Sequence, residues 1–440
     1  MSKPIVAIVG RPNVGKSTLF NKILGSRISI VDDKPGVTRD RIYAEADWLK
    51  HNFTLIDTGG LDLDSKEVIP AQMRIQAELA VEIADVIIFL TDGREGLTPV
   101  DRDIAEVLRK TKKPVIVTLN KVDTGHQSKH FYEYYELGMG EPIEISASLG
   151  LGIGDLLDEV VQYFEVDGEE DDDDDVIKVA IIGKPNVGKS LLVNRILGEN
   201  RVIVSDIAGT TRDAIDTPFT DGKDRYVLID TAGIRRKSRV KENIERYSVI
   251  RAVAAIKRAN VCLLVIDATE GVTEQDKKIA GYSHENGKGM IILVNKWDLI
   301  EKDNKTMNEF IKEIRNELSY ITYAPILFVS ALTGQRMNRI LEEVKKVANQ
   351  NSMRTSTGIL NEVIGEALLL NQPPSDKGRR LRIFYVTQTS IRPPTFVLFI
   401  NDKDLMHFSY LRYIENKIRE NFGFEGTPIN FILRQRMGRD

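Results

Sequence analysis

A glycine-rich octapeptide ending in lysine and serine occurs twice in this chain, as GRPNVGKS at Gly10–Ser17 and as GKPNVGKS at Gly183–Ser190. Each follows a short run of Val and Ile and precedes a helix-prone segment. The pattern G-x-x-x-x-G-K-[ST] between a strand and a helix is a phosphate-cradling loop. Its glycines let the backbone wrap the phosphates, so that amide N–H groups and the helix N-terminus face negative charge. On this reading Lys16 and Lys189 reach the β- and γ-phosphates of a nucleoside triphosphate. Ser17 and Ser190 each offer a hydroxyl to Mg²⁺. Gly10, Asn13, Val14, Gly15 and Thr18 line the first loop. Gly183, Asn186, Val187, Gly188 and Leu191 line the second. Leu191 stands where the first copy has Thr18, a difference expected to tune affinity without abolishing binding.

Two further motifs follow each loop in the same order. DTGG at Asp57–Gly60 recurs as DTAG at Asp230–Gly233. A carboxylate at the end of an apolar strand can hold Mg²⁺, usually through water. The N–H of Gly60 or Gly233 is placed to bond a γ-phosphate, and loss of that phosphate releases the loop behind it. NKVD at Asn120–Asp123 then recurs as NKWD at Asn295–Asp298. The carboxylate of Asp123 or Asp298 accepts from two N–H groups of guanine, an arrangement adenine cannot present. A buried acceptor left unpaired is costly, and such sites reject the wrong partner by ~10⁴ or more. Asn120 and Asn295 tie this segment to the phosphate loop, with Lys121 and Lys296 beside them. The pairs Ser146-Ala147 and Ser330-Ala331 bring backbone N–H groups close to the base.

The repeat holds in spacing as well as in kind. Lys16 to Asp57 and Lys189 to Asp230 are both 41 positions, and PGVTRD at Pro35–Asp40 recurs as AGTTRD at Ala208–Asp213. Five short motifs in one order, twice, mark a duplicated unit. The elements between them read as α/β. Apolar runs at Ile5–Val9, Phe53–Ile56, Val86–Leu90 and Val115–Leu119 have counterparts at Val179–Ile182, Tyr226–Ile229, Val261–Ile266 and Met290–Val294. They suit a mostly parallel sheet with helices on both faces. Amphipathic stretches such as Asp101–Arg109 and Asn308–Glu317 alternate with them. We therefore divide the chain into a first nucleotide domain (1–164), an acidic linker (165–176), a second nucleotide domain (177–349) and a C-terminal α+β domain (350–440).

The linker contains EVDGEEDDDDD. It is either a solvated, self-repelling spacer or an acidic decoy for a basic surface. The C-terminal domain reads helix (Ile359–Leu370), strand (Leu381–Thr389), strand (Thr395–Asn401), helix (Tyr410–Asn421), strand (Ile429–Leu433).

Composition limits the alternatives. The 440 residues are too many for one ordinary core. A 42% hydrophobic and 29% charged chain is that of a folded globular protein. The net charge of −4 does not suggest a nucleic-acid binder at the level of the whole molecule. A single cysteine, Cys262, excludes a disulfide framework and lies within an apolar run, as a buried strand thiol would. No signal peptide is evident, and no apolar stretch approaches the ~20 residues of a membrane span, so the expected location is the cytoplasm.

Two domains carrying all five motifs, an acidic linker and a small C-terminal domain resemble the EngA (Der) family, bacterial tandem GTPases of the Era-like branch. The resemblance covers almost the whole chain. It implies two P-loop GTPase domains and a KH-like C-terminal domain. It implies GTP hydrolysis with GTP/GDP and Mg²⁺, and action on ribosomal RNA and the large ribosomal subunit during assembly, by a monomer away from any membrane. The family's Mg²⁺-binding threonine falls at Thr38 and Thr211. Together with Lys16, Gly60, Lys189 and Gly233, these are the expected catalytic positions. Leu61 and Ile234 stand where other GTPases keep a water-orienting glutamine, so catalysis must be supplied otherwise. In potassium-activated relatives a loop asparagine helps hold K⁺ against the phosphates, which implies Asn13 and Asn186 here, although the same asparagines also serve to shape the loop. The KH resemblance draws attention to Gly423-Phe424-Glu425-Gly426, but that loop carries an acidic residue and follows the last helix. It is therefore not expected to grip RNA as a KH loop does. Basic runs at Arg235, Arg236, Lys237, Arg239 and Lys241 and at Arg434, Arg436 and Arg439 are solvated faces or RNA contacts. The first of them lies in the nucleotide-controlled segment. Two alternatives stay open. In one, a single site regulates while the other turns over; the other is a tRNA-modifying role, disfavoured because the relative that works there uses a C-terminal cysteine and the only cysteine here, Cys262, lies inside a strand.

Overall fold

The computed structural model describes residues 4–25, 43–60, 69–123, 127–164, 176–198, 202–204, 216–230, 244–303, 305–376 and 379–435. Thr38, Thr211, Gly233, Leu61, Ile234, the acidic run 165–175, the basic run 235–241 and Arg436 and Arg439 lie outside them.

In the first domain, strands β1 (Ile5–Val9), β2 (Tyr43–Trp48), β3 (His51–Asp57), β4 (Val86–Asp92), β5 (Val115–Asn120) and β6 (Ile143–Glu144) form one sheet in the order β2-β3-β1-β4-β5-β6. Only the β2–β3 pair is antiparallel. Helices α1 (Lys16–Gly25), α2 (Ile69–Ile83), α3 (Pro99–Leu108) and α4 (Ile153–Gln162) belong to the same domain. Parallel strands need crossovers, and covering both faces demands apolar side chains on both sides of the central strands. Every residue of β4 (VIIFLTD) is buried accordingly. Val6, Ile8, Phe53, Leu55, Val86 and Ile88 meet Leu19 and Phe20 of α1 and Leu156 and Val160 of α4 in one core.

The second copy repeats the plan. Strands β7 (Val176–Ile182), β8 (Val202–Val204), β9 (Thr217–Asp221), β10 (Asp224–Ile229), β11 (Val261–Asp267), β12 (Gly289–Asn295) and β13 (Ile326–Phe328) are ordered β8-β9-β10-β7-β11-β12-β13. This is the first sheet with one extra edge strand. Helices are α5 (Lys189–Leu197), α6 (Ile244–Arg258), α7 (Glu274–Glu285), α8 (Thr306–Glu317) and α9 (Asn338–Asn351). The apolar runs read from the sequence are all strands, within one to three residues at their ends. Cys262 is fully buried in β11, and burial pushes its thiol up to about 11.

The C-terminal domain contains α10 (Thr357–Leu370), a two-residue hairpin β14 (Ser375–Asp376) and β15 (Arg379–Arg380), then β16 (Ile383–Ser390), β17 (Thr395–Ile400), α11 (Phe408–Phe422) and β18 (Asn430–Gln435). The sheet order β16-β17-β18 pairs β17 antiparallel with β16 and parallel with β18. Phe396, Leu398 and Ile400 pack against Leu360 and Ile364 of α10 and Ile414 and Ile418 of α11.

This domain and the second nucleotide domain form one compact unit. They are joined at Gly423–Gly426. The Met290 N–H at the start of β12 donates to the Gly426 carbonyl (2.6 Å), and the Gly426 N–H donates to the Tyr323 carbonyl (2.9 Å). The Phe424 N–H donates to Gln350 Oε1 of α9 (2.5 Å), its ring is fully buried, and Glu425 pairs with Lys346 of α9 (2.5 Å). The loop is occupied by partners from the second nucleotide domain.

Candidate nucleotide-binding sites

Both phosphate loops leave their strands at a glycine that has no room for a side chain. A Cβ on Gly10 would lie 2.1 Å from the Leu90 carbonyl oxygen, and one on Gly183 would lie 2.5 Å from that of Val265. Asn13 and Asn186 both sit at φ 64°, in the left-handed region that asparagine tolerates better than most residues. Their side chains are exposed. Gly15 (φ 96°) and Gly188 (φ 100°) complete the turn into the helix.

The two lysines are pre-positioned. Lys16 Nζ donates to the carbonyls of Gly10 (2.7 Å) and Arg11 (2.8 Å), and Lys189 Nζ donates to those of Gly183 and Lys184 (2.5 Å each). Both are buried, at 7% and 8% exposure, in a cradle of their own loop's carbonyls. An ammonium held this way meets an arriving phosphate with little loss of side-chain freedom.

Asn120 and Asn295 bridge three segments each. Asn120 Nδ2 donates to the Val14 carbonyl (2.7 Å) while its Oδ1 accepts from the Ala147 N–H (2.9 Å). Asn295 does the same with Val187 (2.7 Å) and Ala331 (3.0 Å). A Cβ on Gly15 or Gly188 would stand 2.3 Å from these amide nitrogens. The glycine is thus what lets the base-side segment touch the phosphate loop.

For Mg²⁺, the donor chemistry fits at the first site. Ser17 Oγ donates to Asp57 Oδ2 (2.8 Å), so a hydroxyl and a buried carboxylate, both hard oxygen ligands, converge beside the loop. Asp57 Oδ1 also accepts from the Gly59 N–H (2.8 Å), and Gly60 ends the short turn Thr58–Gly60. The second copy differs at this point. Asp230 lies one residue beyond β10 at φ 57°, and its N–H donates to Asp216 Oδ1 (3.1 Å).

Residues 5–121 and 178–296 match the family model described as "50S ribosome-binding GTPase", and residues 354–434 match "KH-domain-like of EngA bacterial GTPase enzymes, C-terminal". The chain is 80% identical to the GTPase Der of Alkaliphilus oremlandii and 75% identical to that of Alkaliphilus metalliredigens, in both cases over all of both chains. It is 61% identical to the GTPase Der of Acetivibrio thermocellus over 99% of each. The chain belongs to the Der (EngA) family of GTPases.

As a Der-family GTPase it binds GTP and GDP and hydrolyses GTP, and its two domains invite position-by-position comparison. That comparison brings out residues that the motif reading passed over. The ten residues after β4's core, DGREGLTPVD (Asp92–Asp101), recur as DATEGVTEQD (Asp267–Asp276). The shared pattern is D-x-x-E-G-x-T-x-x-D, a sixth repeat whose capping-box ending is itself a recognisable helix-start signal. Thr98 and Asp101 cap α3 reciprocally, as Thr273 and Asp276 cap α7. Both capping carboxylates are fully buried. Arg11, the second residue of the first phosphate loop, lies between Asp101 (3.4 Å) and Glu95 (2.5 Å). In the second loop Lys184 pairs with Glu270, and its positive charge offsets part of the burial that raises the Asp276 carboxyl. In both copies, then, the residue whose carbonyl holds the phosphate-binding lysine is anchored by its side chain to this repeat.

The lysine of each NKxD segment sits at positive φ (69° and 60°) and pairs with the first aspartate of the repeat: Lys121 with Asp92 (2.7 Å) and Lys296 with Asp267 (2.5 Å). Burial alone would push both carboxyls up. The lysine hydrogen bonds and the backbone and hydroxyl donors around them outweigh that and hold both below the usual aspartate range.

Proposed function

We propose that this chain is a GTP-driven switch that acts on assembling ribosomes, at the large subunit, through ribosomal RNA. The observation that supports it is the site built twice along one polypeptide. In each copy an asparagine (Asn120, Asn295) links the phosphate loop, the base-reading segment and the Ser-Ala segment. Occupancy at the phosphates is thereby tied mechanically to occupancy at the base. The family description supplies the ribosome. Lys16 and Lys189 would hold the β- and γ-phosphates, Asp123 and Asp298 would read guanine, and Thr38, Thr211, Gly60 and Gly233 would respond to the γ-phosphate. Ser17, Asp57, Thr38 and their counterparts Ser190, Asp230 and Thr211 would hold Mg²⁺, which when bound supplies charge neutralisation between the phosphates.

We also propose K⁺ activation through Asn13 and Asn186. Their exposed side chains on the phosphate loop leave each amide free to help hold a monovalent cation, which would add charge that an arginine supplies elsewhere. Turnover in K⁺ should exceed turnover in Na⁺ at equal ionic strength, and equal rates would remove this role. The molecule is proposed to act as a cytoplasmic monomer; none of its described helices is long and apolar enough to cross a membrane.

Co-sedimentation of the full chain with ribosomal subunits in GDP, GTP and a non-hydrolysable GTP analogue tests the switch. Binding to the large subunit that changes with nucleotide is the expected result. Identical binding in all three states would eliminate it. A second reading, in which one site regulates and the other turns over, is favoured by a difference between the two base-reading carboxylates: Arg94 pairs with Asp123, whereas its counterpart Thr269 bonds Asp267 and leaves Asp298 alone.

A further inference from the structure

The two guanine-reading carboxylates have unequal surroundings. Asp123 has both oxygens engaged: Arg94 Nη2 donates to Oδ2, and Ser146 Oγ donates to Oδ1 (2.5 Å). Arg94 is further steadied over the segment by a hydrogen bond from its Nε to the Lys121 carbonyl (3.2 Å), and its own backbone N–H is fixed by Asp92 Oδ1 (2.9 Å). In the second domain the repeat D-x-x-E places Thr269 where the first has Arg94. Thr269 turns back on Asp267, donating from both its N–H (2.9 Å) and its hydroxyl (2.7 Å), and does not reach the base-reading segment. Asp298 Oδ1 is buried with no hydrogen-bond partner, and no described cation pairs with Asp298.

A bidentate guanine edge needs the same two oxygens that Arg94 and Ser146 occupy. A guanidinium carries paired N–H donors of much the same geometry as the N1–H and N2–H of guanine. We propose that Arg94 is an internal competitor for guanine at the first site, a specificity-tuning residue that the second site lacks. Guanine at site one must displace an ion pair before it is read. At site two Thr269 bonds back to Asp267, so no guanidinium has to leave the carboxylate of Asp298 before guanine is read. The first site is therefore the weaker and more exchangeable of the two, and the second the one that stays filled. This inference rests on the proposed role of Asp123 and Asp298.

The size follows from the pair's exposure. Arg94 is 63% and Asp123 29% exposed, so the pair belongs to the solvent-screened class. Apparent affinity falls by the fraction of molecules whose site is free. Releasing the competitor should tighten site one about two- to fivefold.

The test measures binding of N-methylanthraniloyl-GDP to the full chain carrying Lys189→Ala, which silences site two, with and without Arg94→Thr. The reciprocal pair is Lys16→Ala with and without Thr269→Arg. Expected are tighter binding with Arg94→Thr, weaker binding with Thr269→Arg, and a gain from Arg94→Thr that shrinks as salt is raised, because salt screens the competing pair. Unchanged or weaker binding with Arg94→Thr overturns the proposal; weaker binding would make Arg94 a nucleotide contact instead. A chain that binds N-methylanthraniloyl-ADP as tightly as N-methylanthraniloyl-GDP at both sites refutes the reading of Asp123 and Asp298 itself. That outcome differs from any shift confined to Arg94.

Discussion

Lys121 and Lys296 each have a duty apart from any nucleotide. Each neutralises a carboxylate that is almost wholly buried, Asp92 or Asp267, and so keeps the strand end that precedes the D-x-x-E repeat charged and in place. The sign of the consequence is fixed by the direction of the shift. Asp267 titrates below its ordinary 3.8 in the folded state, so the pair stabilises the fold at every pH above that value. The contribution declines only as pH falls through the folded-state value, below about pH 4. Replacing Lys296 by Met leaves the Asp267 charge buried with its cation gone. The expected loss is about 3 kcal/mol at neutral pH, toward the low end for a broken buried pair because the lysine is one-third open to water. Urea unfolding of the full chain and of Lys296→Met across pH should show two curves far apart at pH 7. They should converge as Asp267 protonates. A gap that stays constant below about pH 4 would show that the lysine acts through packing and not charge.

At the scale of elements, the Gly423–Gly426 loop ties the second nucleotide domain to the C-terminal one. Gly426 (φ 72°) lies against α9, where an added Cβ would come within 2.3 Å of Val347 Cγ2. It also carries both backbone hydrogen bonds to Met290 and Tyr323. Around it, Thr427 Oγ1 donates to Asn351 Oδ1 (2.6 Å), and Arg419 stacks over the Tyr323 ring at 4.9 Å. Gly426→Ala combines a disfavoured backbone with a clash in a buried junction and should destabilise the second unit by about 2 kcal/mol or more. The first domain's unfolding should be unaffected. Calorimetry of the variant resolves this, and equal shifts in every transition would contradict a local junction. The sequence made the loop conspicuous and its acidic Glu425 spoke against RNA, but nothing in it named α9 and Tyr323 as the partners. Contacts between domains depend on surfaces whose patterns look like any other half-buried face. Strands and helices were legible because apolar runs of Val and Ile have few other fates. The phosphate loops and the NKxD segments were legible because their chemistry dictates residue types at fixed spacing. The D-x-x-E-G-x-T-x-x-D repeat was readable but carries no ligand chemistry of its own. Its meaning appeared only when Arg11, Arg94 and Lys184 were seen reaching into it or out of it.

Among the described residues one core lies in the first nucleotide domain, and two lie in the second compact unit, where the Gly426 junction joins them. Cooperative unfolding follows continuous packing, so two calorimetric transitions are expected and not three. Each contains a nucleotide site, and ligand binding stabilises by RT ln(1 + [L]/Kd), about 2.7 kcal/mol at a hundredfold excess over Kd. For domains of this size 1 kcal/mol moves a midpoint by about 2–4 °C, so saturating GDP should raise each transition by about 5–10 °C. Lys16→Ala should cancel the rise in one transition and Lys189→Ala the rise in the other. The two substitutions also assign the peaks, since each removes an ammonium that its own loop's carbonyls hold. At a subsaturating GDP concentration the unequal carboxylates add a further requirement. The transition silenced by Lys189→Ala should respond first, because its site has no Arg94 to displace. Simultaneous response of both transitions at every GDP concentration would mean that the two sites have equal affinity, and the division of labour between them would then have to come from hydrolysis instead of binding.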